Sequence, residues 1–195
     1  MILIVDNGGA NLASVTNALA RLGRDAFVSG DPADLDRADR VIVPGVGAAA
    51  PAMQRLAATG MDAALVACTK PVLGICLGMQ LLFEQSGEGE VACLGILPGR
   101  VTRFDGGARV PHMGWSTTTL SDVHPLWNGI ADGEWFYYVH SYRADINGHT
   151  VAVCDHDAPF AAAVARANFA GVQFHPERSG PAGARLIENF IGWHP

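Results

Sequence analysis

Lysine is almost missing from this chain. Lys70 is the only one, the arginines are scattered, and 19 acidic against 13 basic residues leave a formal net charge of −6. Nucleic acid and anionic membranes are bound by clustered Lys and Arg, so neither is an expected partner. Charge of either sign is scarce, at 16% of residues against 49% hydrophobic, the opposite of a disordered chain. Long apolar runs are lacking too. The first five residues are apolar, but Asp6 and Asn7 interrupt them and no basic segment precedes them. That pattern argues against a signal peptide or a membrane span and points to the cytosol. Cys68, Cys76, Cys93 and Cys154 include no C-x-x-C pair, and the histidines show no ligand spacing. Neither a disulfide framework, a metal nor an organic cofactor is therefore expected. What is present is 195 residues with enough apolar content for one domain, spanning 1–195.

The order of elements predicts an α/β fold: a doubly wound, mostly parallel open sheet flanked by helices. Residues 1–5 read as a strand buried on both faces, ended by Asp6, Asn7 and Gly8. Leu12, Val15, Leu19 and Leu22 repeat at helical spacing, with Asn11 as N-cap and Gly23 as stop. Short strands are expected at 25–28, 40–43 and 71–75, a turn or short helix at 31–39, and helices at 51–68, broken at Gly60, and at 77–85. From about residue 95 to 174 the texture changes to short apolar runs at 135–139, 150–153, 161–165 and 171–174, separated by Gly, Asp, Asn and Pro. This half reads as antiparallel structure that extends the first sheet or lays a second beside it. A helix over 182–191 closes the chain.

The segment Gly74-Ile75-Cys76-Leu77-Gly78-Met79-Gln80 carries the most chemistry. It places a cysteine at a strand-to-helix turn with glycine two residues away on each side, as a nucleophile elbow requires. The helix that follows would aim free N–H groups and its positive end at the sulfur, favouring a thiolate and offering donors to an oxyanion. The same residues would also suit a buried cysteine between two packing glycines. A thiol nucleophile needs a base, and Gly171-Val172-Gln173-Phe174-His175-Pro176-Glu177 supplies one at another strand end, where open α/β sheets place their sites. Glu177 is close enough to turn back beneath the imidazole and fix its tautomer, the logic of a nucleophile, base and orienter.

Together these two motifs resemble the class I (triad) glutamine amidotransferases, and the resemblance spans nearly the whole chain. It implies hydrolysis of glutamine to glutamate and ammonia through a thioester on Cys76, with His175 as base and Glu177 as its orienter. By the same resemblance the backbone N–H of Leu77 is one oxyanion donor. The other comes from the Pro44-Gly45-Val46-Gly47 turn, where the Val46–Gly47 peptide presents or withholds its N–H. Gln80, Gly47, Ser141 and Tyr142 are implied in holding the substrate. Within the family, three segments resemble the glutaminase subunits of imidazole glycerol phosphate synthase, from histidine biosynthesis. They are Ile4-Val5-Asp6-Asn7-Gly8-Gly9-Ala10-Asn11-Leu12-Ala13-Ser14-Val15, the Pro44–Gly47 turn, and Pro111-His112-Met113-Gly114-Trp115. That resemblance implies a partner, a (β/α)8-barrel cyclase that consumes the ammonia, with Asn11, Trp115 and Arg178 at the interface. A glutaminase subunit of another synthase, or a silent regulatory relative, is the alternative. The sequence departs from the pattern at Asn7, Ala10, Ala49 and Ser116, in segments expected near the partner, where tyrosine, glycine, an aromatic and asparagine are common.

Overall fold

The computed structural model describes residues 1–8, 11–105, 107 and 109–195; Gly9 and Ala10 of the opening motif lie outside them. In chain order the elements are β1 (Ile2–Val5), α1 (Leu12–Arg21), β2 (Ala26–Ser29), β3 (Arg40–Val43), α2 (Ala49–Thr59), α3 (Met61–Val66), β4 (Val72–Ile75), α4 (Leu77–Gln80) and β5 (Phe83–Ser86). There follow β6 (Val91–Ala92), β7 (Leu97–Arg103), β8 (His112–Leu120), β9 (Glu134–His140), β10 (Tyr142–Ala144), β11 (Thr150–Asp155), β12 (Pro159–Arg166), β13 (Phe169–Val172) and α5 (Gly180–Gly192).

Among the described residues, nine strands form one sheet in the order β2-β1-β3-β4-β13-β12-β11-β8-β9. The first five run parallel, and β12, β11, β8 and β9 continue it in antiparallel pairs. A second sheet, β10-β7-β5-β6, lies apart from it. Both expected outcomes for the C-terminal half therefore occur together. One strand of that half, β13, is an exception, because it pairs antiparallel with β12 but parallel with β4.

The sequence of β1 shows why helices cover both faces. Successive side chains point to opposite sides of a strand. Ile2 and Ile4 join Val15 and Leu19 of α1 and Leu186, Ile187 and Phe190 of α5. Leu3 and Val5 join Met53 and Leu56 of α2, Met61 and Leu65 of α3, and the inner face of the second sheet. Every residue of β1, β4 and β13 is buried, as strands covered on both sides must be. Gly60 breaks the second helical stretch as expected, in a left-handed conformation (φ 78°).

The helix expected over 77–85 is shorter than its pattern. It stops after one turn, and Phe83–Ser86 becomes β5 because its backbone pairs with Leu97, Arg100 and Val101 of β7 and with β6. Ladder partners distant in sequence override a local helical preference here. No helix among the described residues is long and apolar enough to cross a membrane.

Candidate active site

The parallel strands deliver their C-terminal ends to one edge. Asn7 lies just beyond β1, the Pro44–Gly47 turn follows β3, Cys76 follows β4, and His175 lies just past β13. Cys76 has φ 53° and ψ −109°, a region that strains a residue bearing a Cβ by about 1–3 kcal/mol. Its amide donates to Val172 O at 2.8 Å, which pins the elbow to β13. As expected of a nucleophile elbow, the cysteine itself takes the strained, positive φ and its neighbours Gly74 and Gly78 lack a Cβ. The glycines are there for closeness: a Cβ on Gly78 would lie 1.8 Å from Val43 O, and one on Gly74 2.6 Å from Gly78. A Cβ on Gly45 would likewise meet Leu77 Cβ at 2.6 Å, so the turn after β3 presses against the start of α4.

His175 and Glu177 are buried beside the thiol. His175 Nδ1 and Glu177 Oε1 are 2.8 Å apart, and the His175 backbone is held by Tyr137 O through its amide and by the Ser179 hydroxyl through its carbonyl. With Nδ1–H committed to the carboxylate, Nε2 is the free basic nitrogen, buried with no hydrogen-bond partner among the described residues. Burial pushes this imidazole down, but the Cys76 thiol and then the Glu177 carboxylate outweigh it and push it up to about 10. Burial pushes Glu177 up, and hydrogen bonds from His175 and Asn11 reverse this and hold its carboxyl below the usual range. A carboxylate, an imidazolium and a sulfur that favours that cation form a charge-coupled set able to move one proton to and from the thiol.

Asn11 was expected as a helix cap and as a surface contact. Its side chain makes no cap hydrogen bond; it is buried, and its Nδ2 donates to Glu177 Oε1 at 2.5 Å. A cap would use its Oδ1 to accept from helix N–H groups, whereas the charged carboxylate holds the side chain through its Nδ2 donor instead. Trp115 and Arg178 are exposed, Trp115 on β8 and Arg178 directly after Glu177. The departures at Asn7 and Ala49 are buried, and Asn7 Nδ2 donates to Pro44 O at 2.6 Å, steadying the turn. Ser116 hydrogen-bonds His112 Nε2 at 2.8 Å.

A cleft of about 300 Å³ opens over the sulfur, lined by Val46, Gly47, Leu77, Gln80, Glu88, Val139, His140, Ser141 and Tyr142 among others. Leu77 opens α4, so no earlier helical carbonyl claims its N–H. Gly47 is exposed with φ 99°, a conformation that suits glycine. Gln80 is buried, and its Nε2 donates to Tyr142 O at 2.9 Å and to Gln173 Oε1 at 3.0 Å. Tyr142 thus contributes a backbone carbonyl. Two residues of the cleft region escaped the sequence reading. Glu88 sits in a Gly-Glu-Gly-Glu loop that offered only a turn signal; its carboxylate accepts from Ala49 N at 3.0 Å, and burial pushes its pKa up. Gln173 could have been found, because an amide inside an otherwise apolar buried strand end is itself a signal. Among the described residues no three His, Cys, Asp or Glu converge as a metal site would require.

The sequence pattern of the family "Glutamine amidotransferase class-I" matches residues 3–193. The chain is 44% identical over 205 residues to "Imidazole glycerol phosphate synthase subunit HisH" of Colwellia psychrerythraea, covering 97% of this chain and 91% of that protein. It is 50% identical over 192 residues to the protein of that name from Xanthomonas euvesicatoria pv. vesicatoria (97% and 96% covered) and 48% identical to that from Yersinia pestis (97% and 98%). In fold it is similar to "Crystal structure of glutamine amidotransferase" at TM-score 0.77, 18% identity and 98% of each chain. A second similar fold is "Structure of PurLQS from Thermotoga maritima", at TM-score 0.75 and 21% identity, covering 98% of this chain and 97% of that one.

Proposed function

The chain belongs to the glutamine amidotransferase class-I family and, within it, to the HisH subunits of imidazole glycerol phosphate synthase; from that premise we propose that Cys76, His175 and Glu177 hydrolyse L-glutamine. The observation that carries the assignment is the coupling of the His175 imidazole to Glu177 on one side and Cys76 on the other. His175 Nε2 takes the thiol proton, and Sγ bonds to the side-chain amide carbon. The resulting oxyanion is met by the Leu77 N–H and by the Val46–Gly47 turn, each donor contributing roughly 3 kcal/mol of transition-state stabilisation. When the C–N bond breaks, His175 returns the proton to the departing ammonia. Water, deprotonated by His175, then attacks the thioester and glutamate leaves. The cleft supplies acceptors for the substrate ammonium group in Gln80 and Glu88, with Gly47, Ser141 and the Tyr142 segment around the rest.

The ammonia passes to a cyclase partner, a (β/α)8 barrel that docks over Trp115 and Arg178, in the cytosol. One domain over residues 1–195 performs the glutaminase half only. Replacing the nucleophile tests the assignment. Cys76→Ala is expected to abolish ammonia release from glutamine, at least 1,000-fold on the order expected for loss of a triad nucleophile. Synthesis from free ammonium by the complex should persist. Ammonia released from glutamine by this variant at the wild-type rate would sink the assignment.

A further inference from the structure

Gln173 lies between the substrate-facing helix and the nucleophile, and no step above uses it. Its side chain is fully buried, between Val172 and Phe174 in an apolar stretch. An amide buried without partners costs about 1–3 kcal/mol, so its partners indicate its task. Its Oε1 accepts from Gln80 Nε2 at 3.0 Å, and its Nε2 donates to Cys76 Sγ at 3.6 Å. The direction of this chain follows from a fixed acceptor. Tyr142 O can only accept, so Gln80 must turn its NH2 toward it, at 2.9 Å. The second N–H of that group meets Gln173, which must answer with its oxygen. Its nitrogen is then left facing the sulfur.

We propose that Gln173 is a catalytic residue of this site, the donor that stabilises Cys76 Sγ as thiolate and ties its position to Gln80. The turnover part of this proposal rests on the glutaminase reading, whereas the thiol chemistry does not. A thiolate is a strong acceptor and a thioester sulfur a weak one. The N–H···S bond is therefore strongest once His175 has taken the thiol proton and again when the thioester breaks down. In that step water oxygen bonds to the acyl carbon, the C–S bond breaks, and the electron pair returns to Sγ. The other contact of the sulfur, to Val139 O at 3.9 Å, serves only the protonated thiol, because a carbonyl cannot donate. The two partners thus sort the two protonation states, and Gln173 favours the reactive one.

Gln173→Met keeps the length of the side chain and removes both hydrogen bonds. Alkylation of Cys76 by iodoacetamide at neutral pH, resolved from Cys68, Cys93 and Cys154 by peptide mass spectrometry, should slow about 10-fold, the scale of a hydrogen bond to a charged group. The kcat for glutamine should fall by a similar factor while KM changes less than about twofold. Gln80→Met leaves the donor in place, so it should raise KM and slow alkylation by less than about threefold. Alkylation of Gln173→Met at the wild-type rate, or a rise in KM alone, would reduce Gln173 to a support for Gln80 and overturn the proposal. If Gln173→Met does not fold, 15N-labelled wild-type protein decides: the Gln173 side-chain amide signals should move when Cys76 is alkylated, and signals that stay put overturn the proposal. Should the wild-type chain and its cyclase release no ammonia while the alkylation and amide results hold, the glutaminase reading fails and the donor stands.

Discussion

His175 and the pair His112 and His140 are equally hidden from water, at 2%, 4% and 6% exposure, yet they sit on opposite sides of neutrality. His175 is pushed up to about 10, whereas His112 is pushed down to about 4 and His140 to about 3. Burial acts downward on all three. The difference lies in what faces them: a thiol and a carboxylate for His175; for the pair, each other, His156, Phe104, Tyr138, a hydroxyl and a carbonyl. Burial thus makes the charge state of a histidine depend on its neighbours without deciding it.

The neutral pair is also ordered. His140 Nδ1 must donate to Tyr142 O at 2.8 Å, because a carbonyl only accepts. His140 Nε2 then accepts from His112 Nδ1 at 3.1 Å, and His112 Nε2 accepts from the Ser116 hydroxyl. This chain ends on the same carbonyl that orients Gln80. One histidine site favours the cation, and the other, neutral, holds the carbonyl beside the cleft in place.

The contrast can be broken most sharply by removing the sulfur. In Cys76→Ala, burial at His175 is opposed only by Glu177, so the titration midpoint of its ring should fall from about 10 toward the ordinary imidazole range. NMR of the ring would show it, and a midpoint unmoved from wild type would mean that the thiol does not set the charge. The neutral pair gives the opposite signature in stability. Unfolded, both rings take protons near 6.5; folded, they do so only near 4 and 3. The unfolded chain therefore binds more protons as pH falls, so their contribution is intact above 6.5 and lost toward 4. Its slope approaches about 2.7 kcal/mol per pH unit near pH 5. His140→Asn keeps a donor for Tyr142 O and should halve that slope in urea unfolding series; identical slopes would remove the pair from the account. The smallest effect sharpens the triad side. Asn11→Ala strips one of the two donors on Glu177 Oε1 and should lower kcat about 10-fold. Ammonia release at the wild-type rate would show that His175 alone holds the carboxylate.

Much of the fold was legible locally. The buried runs that became β1, β3, β4 and β13, the break at Gly60 and the closing helix all follow from short-range periodicity and turn chemistry. The end of α4 was not legible, since Phe83 to Ser86 is helix-compatible until β7 offers its backbone. In the site, Cys76, His175 and Glu177 could be named from flanking residues. The tasks of Asn11 and Gln173 could not, because their partners lie 166 and 97 residues away.

By itself, the sequence determined which backbone segments could turn tightly, which faces had to be buried, and which side chains had the chemistry to react. Those are properties of sterics and solvation over a few residues. Tertiary structure alone decided that Gly78 must leave room for Val43 O, that Asn11 serves Glu177 instead of a helix end, and which histidine favours the cation. Each of these depends on electrostatic and packing contacts a few ångströms long between groups far apart in the chain, and such contacts exist only once the sheet has brought its strand ends together.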